Sequence, residues 1–206
     1  MNRASELVEE TAALVAEPAH RWVGRGALKL DHALTLWPVR VEGRVVLDVG
    51  ASTGGFTQVC LSKGAARVYA VDVGRDQLHP SLAGDPRVVE LSETDARGLN
   101  AVLIPESPGL VVTDVSFISL AKALPAALAL AGDGADLLAL VKPQFEVGRD
   151  HVGKGGIVKD AAVRQASLDA VVVWLAGQGW SLRETADSPI TGGDGNHEFL
   201  LWACKG

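Results

Sequence analysis

Asp48-Val49-Gly50-Ala51-Ser52-Thr53-Gly54-Gly55-Phe56 follows directly on the apolar run Val45-Val46-Leu47. A buried strand that ends in an acid and a glycine-rich turn, then re-enters a helix, is how an α/β sheet holds a nucleotide-like ligand. Gly50 lets the chain turn tightly at the strand end. Gly54 and Gly55 keep side chains away, so that backbone can reach the ligand and the helix can pack on the sheet. Turns of this kind also occur for purely structural reasons, so the surrounding sequence must decide.

Spacing narrows the ligand. A phosphate-cradling P-loop ends in Gly-Lys-Ser/Thr, and no lysine stands at that place. The dinucleotide order G-x-G-x-x-G is not met either, because its third position is Ser52. The order Asp-x-Gly-x-Ser-x-Gly is instead similar to the acid-x-Gly-x-Gly-x-Gly signature of S-adenosylmethionine-dependent methyltransferases, with the middle glycine replaced by serine. A second strand pattern, Arg67–Val71, ends in Asp72, a little over twenty residues beyond Asp48. An acid there can accept hydrogen bonds from both ribose hydroxyls of an adenosine cofactor. A third, Asp95, follows the strand pattern Val88–Leu91, where it either meets the adenine edge or caps its own loop. The cofactor expected is S-adenosyl-L-methionine.

The chain has 206 residues, 48% of them hydrophobic and 21% charged, which suits one domain with a substantial core. No apolar run approaches a membrane span, and residues 1–20 lack the pattern of a signal peptide. Cys60 and Cys204 stand far apart without metal-ligand spacing, as buried free thiols of a reducing cytoplasm would. The net charge of −6 runs against the basic footprint usual for a nucleic-acid binder, so any such binding must rest on local patches.

Residues 1–19 read as an N-terminal amphipathic helix, Leu7, Thr11, Leu14 and Val15 opposite Glu6, Glu9 and Glu10, ended by Pro18. Residues 20–206 read as one domain. It opens with a basic loop from His20 to Gly26 and a helix carrying Leu28, Lys29, Leu30 and Leu34. Strand patterns at 45–47, 67–71, 88–91, 110–113 and 137–141 alternate with helical patterns at 54–62, 120–130 and 161–178. Two closing segments follow, 180–186 and 198–204. Apolar runs alternating with helices imply an α/β fold of the doubly wound, Rossmann-like kind, a mostly parallel sheet with helices on both faces. Ligands in such sheets sit at the carboxyl ends of the strands, where the notable residues cluster.

Four charged residues stand where a core residue would be cheaper to place: Lys29, Asp114, Lys142 and Glu198. Each alone is consistent with a strand-end charge or a structural ion pair. Together, near one rim of the sheet, they suit removal of a poorly acidic hydroxyl proton during methyl transfer. A lysine serves as base once burial and a cationic neighbour lower its pKa, with the two carboxylates holding the lysines in place.

Arg25-Gly26-Ala27-Leu28-Lys29-Leu30, the Asp48–Phe56 turn, Asp114-Val115-Ser116-Phe117-Ile118-Ser119, Val141-Lys142-Pro143-Gln144-Phe145-Glu146 and Gly195-Asn196-His197-Glu198-Phe199-Leu200 occur in that order. Together they resemble the TlyA (haemolysin A) family of FtsJ-like ribosomal RNA methyltransferases, from about Trp22 to Trp202. The resemblance implies a class I methyltransferase fold with a seven-stranded sheet, methyl transfer to the ribose 2′-hydroxyl of RNA, and a catalytic tetrad of Lys29, Asp114, Lys142 and Glu198. In that carry-over Lys142 is the base, Asp114 orients it, and Lys29 and Glu198 position the ribose and the second lysine. It also implies that the Asp48–Phe56 turn (Asp48, Gly50, Ser52, Gly54, Gly55, Phe56), Asp72 and Asp95 hold the cofactor. Arg21, Arg25, Ser116, Phe117, Arg149 and Lys154 are the substrate candidates.

Two departures stand out. Ala27 replaces the second glycine of the usual Arg-Gly-Gly-Leu-Lys, a mild change unless that backbone needs a positive φ. Where family members usually begin with an S4-type RNA-binding domain, this chain has the acidic segment 1–19. RNA contact is therefore expected from two patches, His20, Arg21, Arg25 and Lys29, and the glycine-rich stretch with Arg149, His151, Lys154 and Lys159, unless both are ordinary solvated loops. The expected partner is ribosomal RNA or a ribosomal subunit, with a small hydroxylated molecule such as a nucleoside as the alternative and a homodimer as a further option. A membrane-active protein, as the haemolysin name suggests, is disfavoured by the lack of any basic amphipathic helix.

Overall fold

The computed structural model describes residues 21–206, with Arg149 described by its backbone alone. The expected helix over 1–19, and His20, lie outside the described residues. The chain runs α1 (Gly26–Leu36), β1 (Val45–Val49), α2 (Gly55–Ser62), β2 (Arg67–Val71), α3 (Pro80–Ala83), β3 (Val88–Leu91), β4 (Leu110–Thr113), α4 (Leu120–Ala123), α5 (Pro125–Leu130), β5 (Asp136–Val141), α6 (Pro143–Glu146), α7 (Ala161–Gly177), β6 (Trp180–Asp187) and β7 (Phe199–Lys205).

The strands form one seven-stranded sheet in the order β3-β2-β1-β4-β5-β7-β6. The first five are parallel to their neighbours; β7 runs antiparallel between β5 and β6. The expected doubly wound α/β sheet is what forms. Its strand order reverses between β1 and β4, and there the loops leaving the two strands diverge to opposite faces and open a crevice.

Strand alternation builds two cores. Val46, Val68, Val112, Leu138 and Leu140 face α1 and α2 with Leu30, Phe56 and Val59. Leu47, Val49, Val111, Leu137 and Val141 face α4, α5 and α7 with Leu124, Leu128, Leu168 and Leu175. The central strands are buried on both faces, which is why they read as continuous apolar runs rather than alternating ones. The helix expected over 120–130 is broken in two. Pro125 has no N–H to continue the ladder, so α4 stops at Ala123 and α5 begins on the proline. Among the described residues no helix is long and apolar enough to cross a membrane.

Candidate active site

The turn after β1 forms for the reasons its glycines suggest. Gly50 and Ala51 donate their N–H groups to Val71 O at 2.9 and 3.0 Å, which locks the turn onto β2. Gly50 has φ +83°, and a Cβ there would lie 3.0 Å from Val115 Cγ1 and 3.2 Å from Asp114 O, so only glycine fits. Ser52 also takes a left-handed backbone, φ +49°. Its N–H donates to Asp72 Oδ2 at 2.8 Å, and Gly74 N–H donates to Asp72 Oδ1 at 2.7 Å. The carboxylate of Asp72 is thus fixed at the end of β2 with further lone pairs unused.

Beside this turn lies a cleft of about 380 Å³. Gly50, Ser52, Asp72, Gln77, Thr94 and Asp95 supply its polar wall, and Val71, Val73, Ala96, Val115, Ile118 and Ala123 its apolar one. An apolar slot with an anchored acid suits a flat base joined to a ribose. Asp95 caps its turn by accepting Arg97 N–H at 2.9 Å, and it also lines the cleft. The Arg97 guanidinium on its carboxylate holds that group down to about 2.

Four turn residues stand elsewhere than at this cleft, among them Phe56, which is buried in the core with Leu30 and Val59. Asp48 is fully buried, pointing from β1 toward α2, where Oδ2 accepts Thr57 Oγ1–H at 2.6 Å and Oδ1 has no protein partner. Burial pushes its carboxyl up to about 7, against the Thr57 hydrogen bond, and the charges of Asp114 and Asp72 add to the rise. Gly54, φ +92°, backs onto Leu78 and Leu82. Gly55 lets α2 approach α1, since a Cβ on it would meet Ala27 N at 3.1 Å. These residues build the turn from behind. Ala27 itself is fully buried with an ordinary helical backbone, so the departure from a second glycine costs nothing in conformation.

A second cleft, about 290 Å³, is bounded by Gly24, Arg25, Gly26, Thr53, Gly55, Phe56 and Lys142. It shares Gly50, Ser52, Asp114 and Ser116 with the first. At that shared wall Lys142 Nζ lies 2.6 Å from Asp114 Oδ1 and donates to Ser116 Oγ at 2.8 Å. The Asp114 contact is off the hydrogen-bonding direction and acts as an ion pair; the directed bond goes to Ser116. Gly26 explains why α1 can begin here, for a Cβ on it would sit 3.0 Å from Asp114 Oδ2.

The other half of the tetrad is a separate pair. Lys29 Nζ donates to Glu198 Oε2 at 2.5 Å, with side chains 8% and 2% exposed. Neither residue lines the two clefts. Each lysine therefore has its own carboxylate: one pair faces the shared wall, and the other is sealed where α1 meets the start of β7.

Of the substrate candidates, Arg25, Ser116 and Phe117 gather at the clefts. Phe117 is 90% exposed, held at φ +67°, with its ring 5.2 Å from that of Phe145. Backbone forced into that region at the lip of a cleft is strain of the kind that collects at working sites. The Arg21 guanidinium lies over the Trp22 ring at 4.3 Å. Lys154 is exposed on a one-turn 3-10 helix, outside the two clefts, and Arg149 opens another such helix. The sequence reading missed Gln77 and Thr94, which lie in loops without a motif. It also missed Glu146, whose Oε1 accepts Leu120 N–H at 2.8 Å and whose carboxyl burial pushes up.

A doubly wound sheet with an antiparallel β7, a glycine turn and anchored acid at its switch point, and a lysine–carboxylate pair across the cleft define a class I methyltransferase. The chain belongs to the FtsJ-like methyltransferase family, whose model matches residues 22–205. It is 50% identical over 197 residues to the 16S/23S rRNA (cytidine-2′-O)-methyltransferase TlyA of Mycobacterium tuberculosis, covering 95% of this chain and 74% of that one. It is 39% identical over 181 residues to hemolysin A of Brachyspira hyodysenteriae, covering 87% and 75%. A solved hemolysin-named protein of Lactococcus lactis superposes with a TM-score of 0.87 at 41% identity, covering 90% of this chain and 89% of that one.

Proposed function

We propose that this protein transfers a methyl group from S-adenosyl-L-methionine to a ribose 2′-hydroxyl of ribosomal RNA. The observation that carries the reading is Lys142, which lines the second cleft and is held by Asp114 and Ser116, two residues of the wall that this cleft shares with the first. The first cleft has the anchored acid and apolar walls an adenosyl group needs; the second is where a nucleotide would enter. Bound in the first cleft, S-adenosylmethionine would supply an electrophilic methyl group.

The chain's own residues do the rest. In its neutral amine form Lys142 Nζ takes the hydroxyl proton and becomes the ammonium as the oxygen attacks the methyl carbon, with Asp114 and Ser116 fixing where Nζ points and the Asp114 carboxylate balancing the charge formed. Holding both reactants at one wall converts the encounter into an oriented, intramolecular step, which supplies a large share of the rate. Lys29 and Glu198 set the position of α1 against β7 and so of Gly24–Gly26 beneath the second cleft. Phe117, braced by Phe145, offers a ring face to a base, and Arg25 offers a charge to phosphate. Support for an RNA substrate comes from the M. tuberculosis relative, an rRNA (cytidine-2′-O)-methyltransferase by name. A small-molecule substrate would call for a lid over the tetrad by the 143–160 loop, and none of the side chains described in that loop lines either cleft.

The test is transfer of labelled methyl from S-adenosylmethionine to ribosomal RNA and to intact subunits, with digestion to nucleosides to locate the label. Lys142→Ala should abolish transfer while cofactor still binds. A protein that binds cofactor and labels neither RNA nor subunits would defeat the reading.

A further inference from the structure

Asn196 is 1% exposed, and a buried amide must place both its donor and its acceptor. It places both on one distant segment. Nδ2 donates to Gly156 O at 2.9 Å, and Oδ1 accepts Val158 N–H at 3.0 Å, across sequence separations of 40 and 38. Its own carbonyl accepts Gly192 N–H at 2.9 Å and closes the 192–196 turn. That turn presses on the tetrad, since a Cβ on Gly192 would lie 2.5 Å from Glu198 Oε1. Arg25 Nη2 reaches Thr191 O from the second cleft, at 3.4 Å.

The segment so gripped is the one that leaves α6 just beyond Lys142 and carries the exposed His151, Lys154 and Lys159. Its far end is also held from α7, where Arg164 Nη1 donates to Val158 O at 3.1 Å and to Lys159 O at 2.7 Å. Nearer α6, Gly148, Gly155 and Gly156 have open space where a Cβ would be, and Gly155 and Gly156 have φ near +80°. A glycine-rich stretch of this kind loses much conformational freedom on ordering, so the two amide bonds are what fix its 148–157 part.

We propose that Asn196 is a positioning residue for the substrate. Its side-chain amide fixes the basic 148–159 segment against the turn that backs Glu198, so that the segment's cations meet RNA phosphate in register with the tetrad. This rests on the RNA reading above. Asn196 lines neither cleft and acts through the segment it holds.

Asn196→Ala strands the Val158 N–H and the Gly156 carbonyl. Amide exchange at 150–158 should rise at least tenfold while β1, β4 and β5 stay protected. Cofactor affinity by calorimetry should remain within twofold, and KM for ribosomal RNA should rise about tenfold with kcat within threefold. Should that variant not fold, Asn196→Asp keeps the acceptor for Val158, loses the donor to Gly156, and carries the same comparison. Unchanged exchange at 150–158 overturns the clamp, and so does loosening that spreads to the sheet or takes cofactor binding with it. A loosened segment with unchanged KM overturns its role in RNA binding. If the wild type labels no RNA, the RNA reading falls with the purpose assigned here, and the exchange data still decide whether the clamp exists.

Discussion

Replacing one member of the Lys29–Glu198 pair should cost far more than replacing both. The side chains are 8% and 2% exposed with Nζ and Oε2 2.5 Å apart, so neither charge has water to fall back on. Lys29→Met leaves the Glu198 carboxylate buried alone against Gly192, and Glu198→Leu leaves the ammonium alone beneath α1. Removing one partner of a buried pair costs about 3–5 kcal/mol, whereas replacing both by apolar groups of similar volume is often close to neutral. For a domain of this size each kcal/mol moves Tm by about 2–4 °C, so each single variant should melt roughly 6–20 °C lower. The double variant should regain most of that loss, and its methyl transfer tests whether the pair serves the chemistry as well as the fold. The assay is urea and thermal unfolding of wild type, both singles and the double, read as a double-mutant cycle. Single variants each costing under about 1 kcal/mol, or a double as unstable as the sum of the singles, would refute the buried pair. A stable double that methylates RNA at the wild-type rate would remove Lys29 and Glu198 from the catalytic proposal.

Asp48 predicts a pH dependence. Its carboxyl is raised from 3.8 to about 7, so the folded state holds a proton that the unfolded chain releases. Stability should therefore fall as pH climbs through that window, by about 4 kcal/mol, and the whole loss is present above the folded value. Asp48→Asn, which keeps an acceptor for Thr57, should flatten that fall in urea titrations at pH 5 and pH 8; parallel curves for the two proteins would count against it. Gly50→Ala forces an L-residue to φ +83° and places a Cβ 3.2 Å from Asp114 O. A left-handed backbone costs about 1–2 kcal/mol and the crowding adds to it, so cofactor affinity by calorimetry should drop at least about tenfold. Phe117→Ala removes an exposed ring, so Tm should hold while KM for RNA rises about tenfold, in keeping with about 1–3 kcal/mol for base stacking. An unchanged KM would deny the ring its place on the substrate.

Much of the sheet was readable because a parallel strand buried on both faces must be apolar throughout. The runs Val45–Leu47, Leu110–Val112 and Leu137–Val141 announce β1, β4 and β5 that way. Strand order was not readable, since the insertion of β7 between β5 and β6 depends on pairings far apart in sequence. Charged residues in apolar surroundings marked the tetrad, but pattern alone could not say which carboxylate each lysine would take. Asp48 shows the limit most clearly. Its place in the signature suggested a ligand contact, while strand alternation turns it from the cleft toward Thr57. Asn196 and Glu146 stand inside two of the quoted motifs, yet their working parts were not legible, because the partners lie 26 to 40 residues away in sequence.

The arrangement of acids around the Gly50 turn has a consequence for binding. Asp48, Asp72 and Asp114 end or nearly end three adjacent strands, and three full charges so close would repel one another. Burial relieves this by holding Asp48 at about 7, so that near neutrality it is substantially protonated and bridges β1 to Thr57 as a partly neutral group. The acids that face a cleft are Asp72, anchored by the Ser52 and Gly74 N–H groups, and Asp114, matched by Lys142. A cationic cofactor thus meets Asp72 directly, while the acid buried behind the turn adds little attraction of its own. Asp48→Asn should for this reason leave cofactor affinity near wild type, whereas Asp72→Asn should weaken it by tenfold or more, since it lies on the cleft wall. Calorimetry at pH 6, below the Asp48 value, separates the two, and a larger loss for Asp48→Asn than for Asp72→Asn would reverse this division between a structural acid and a binding one.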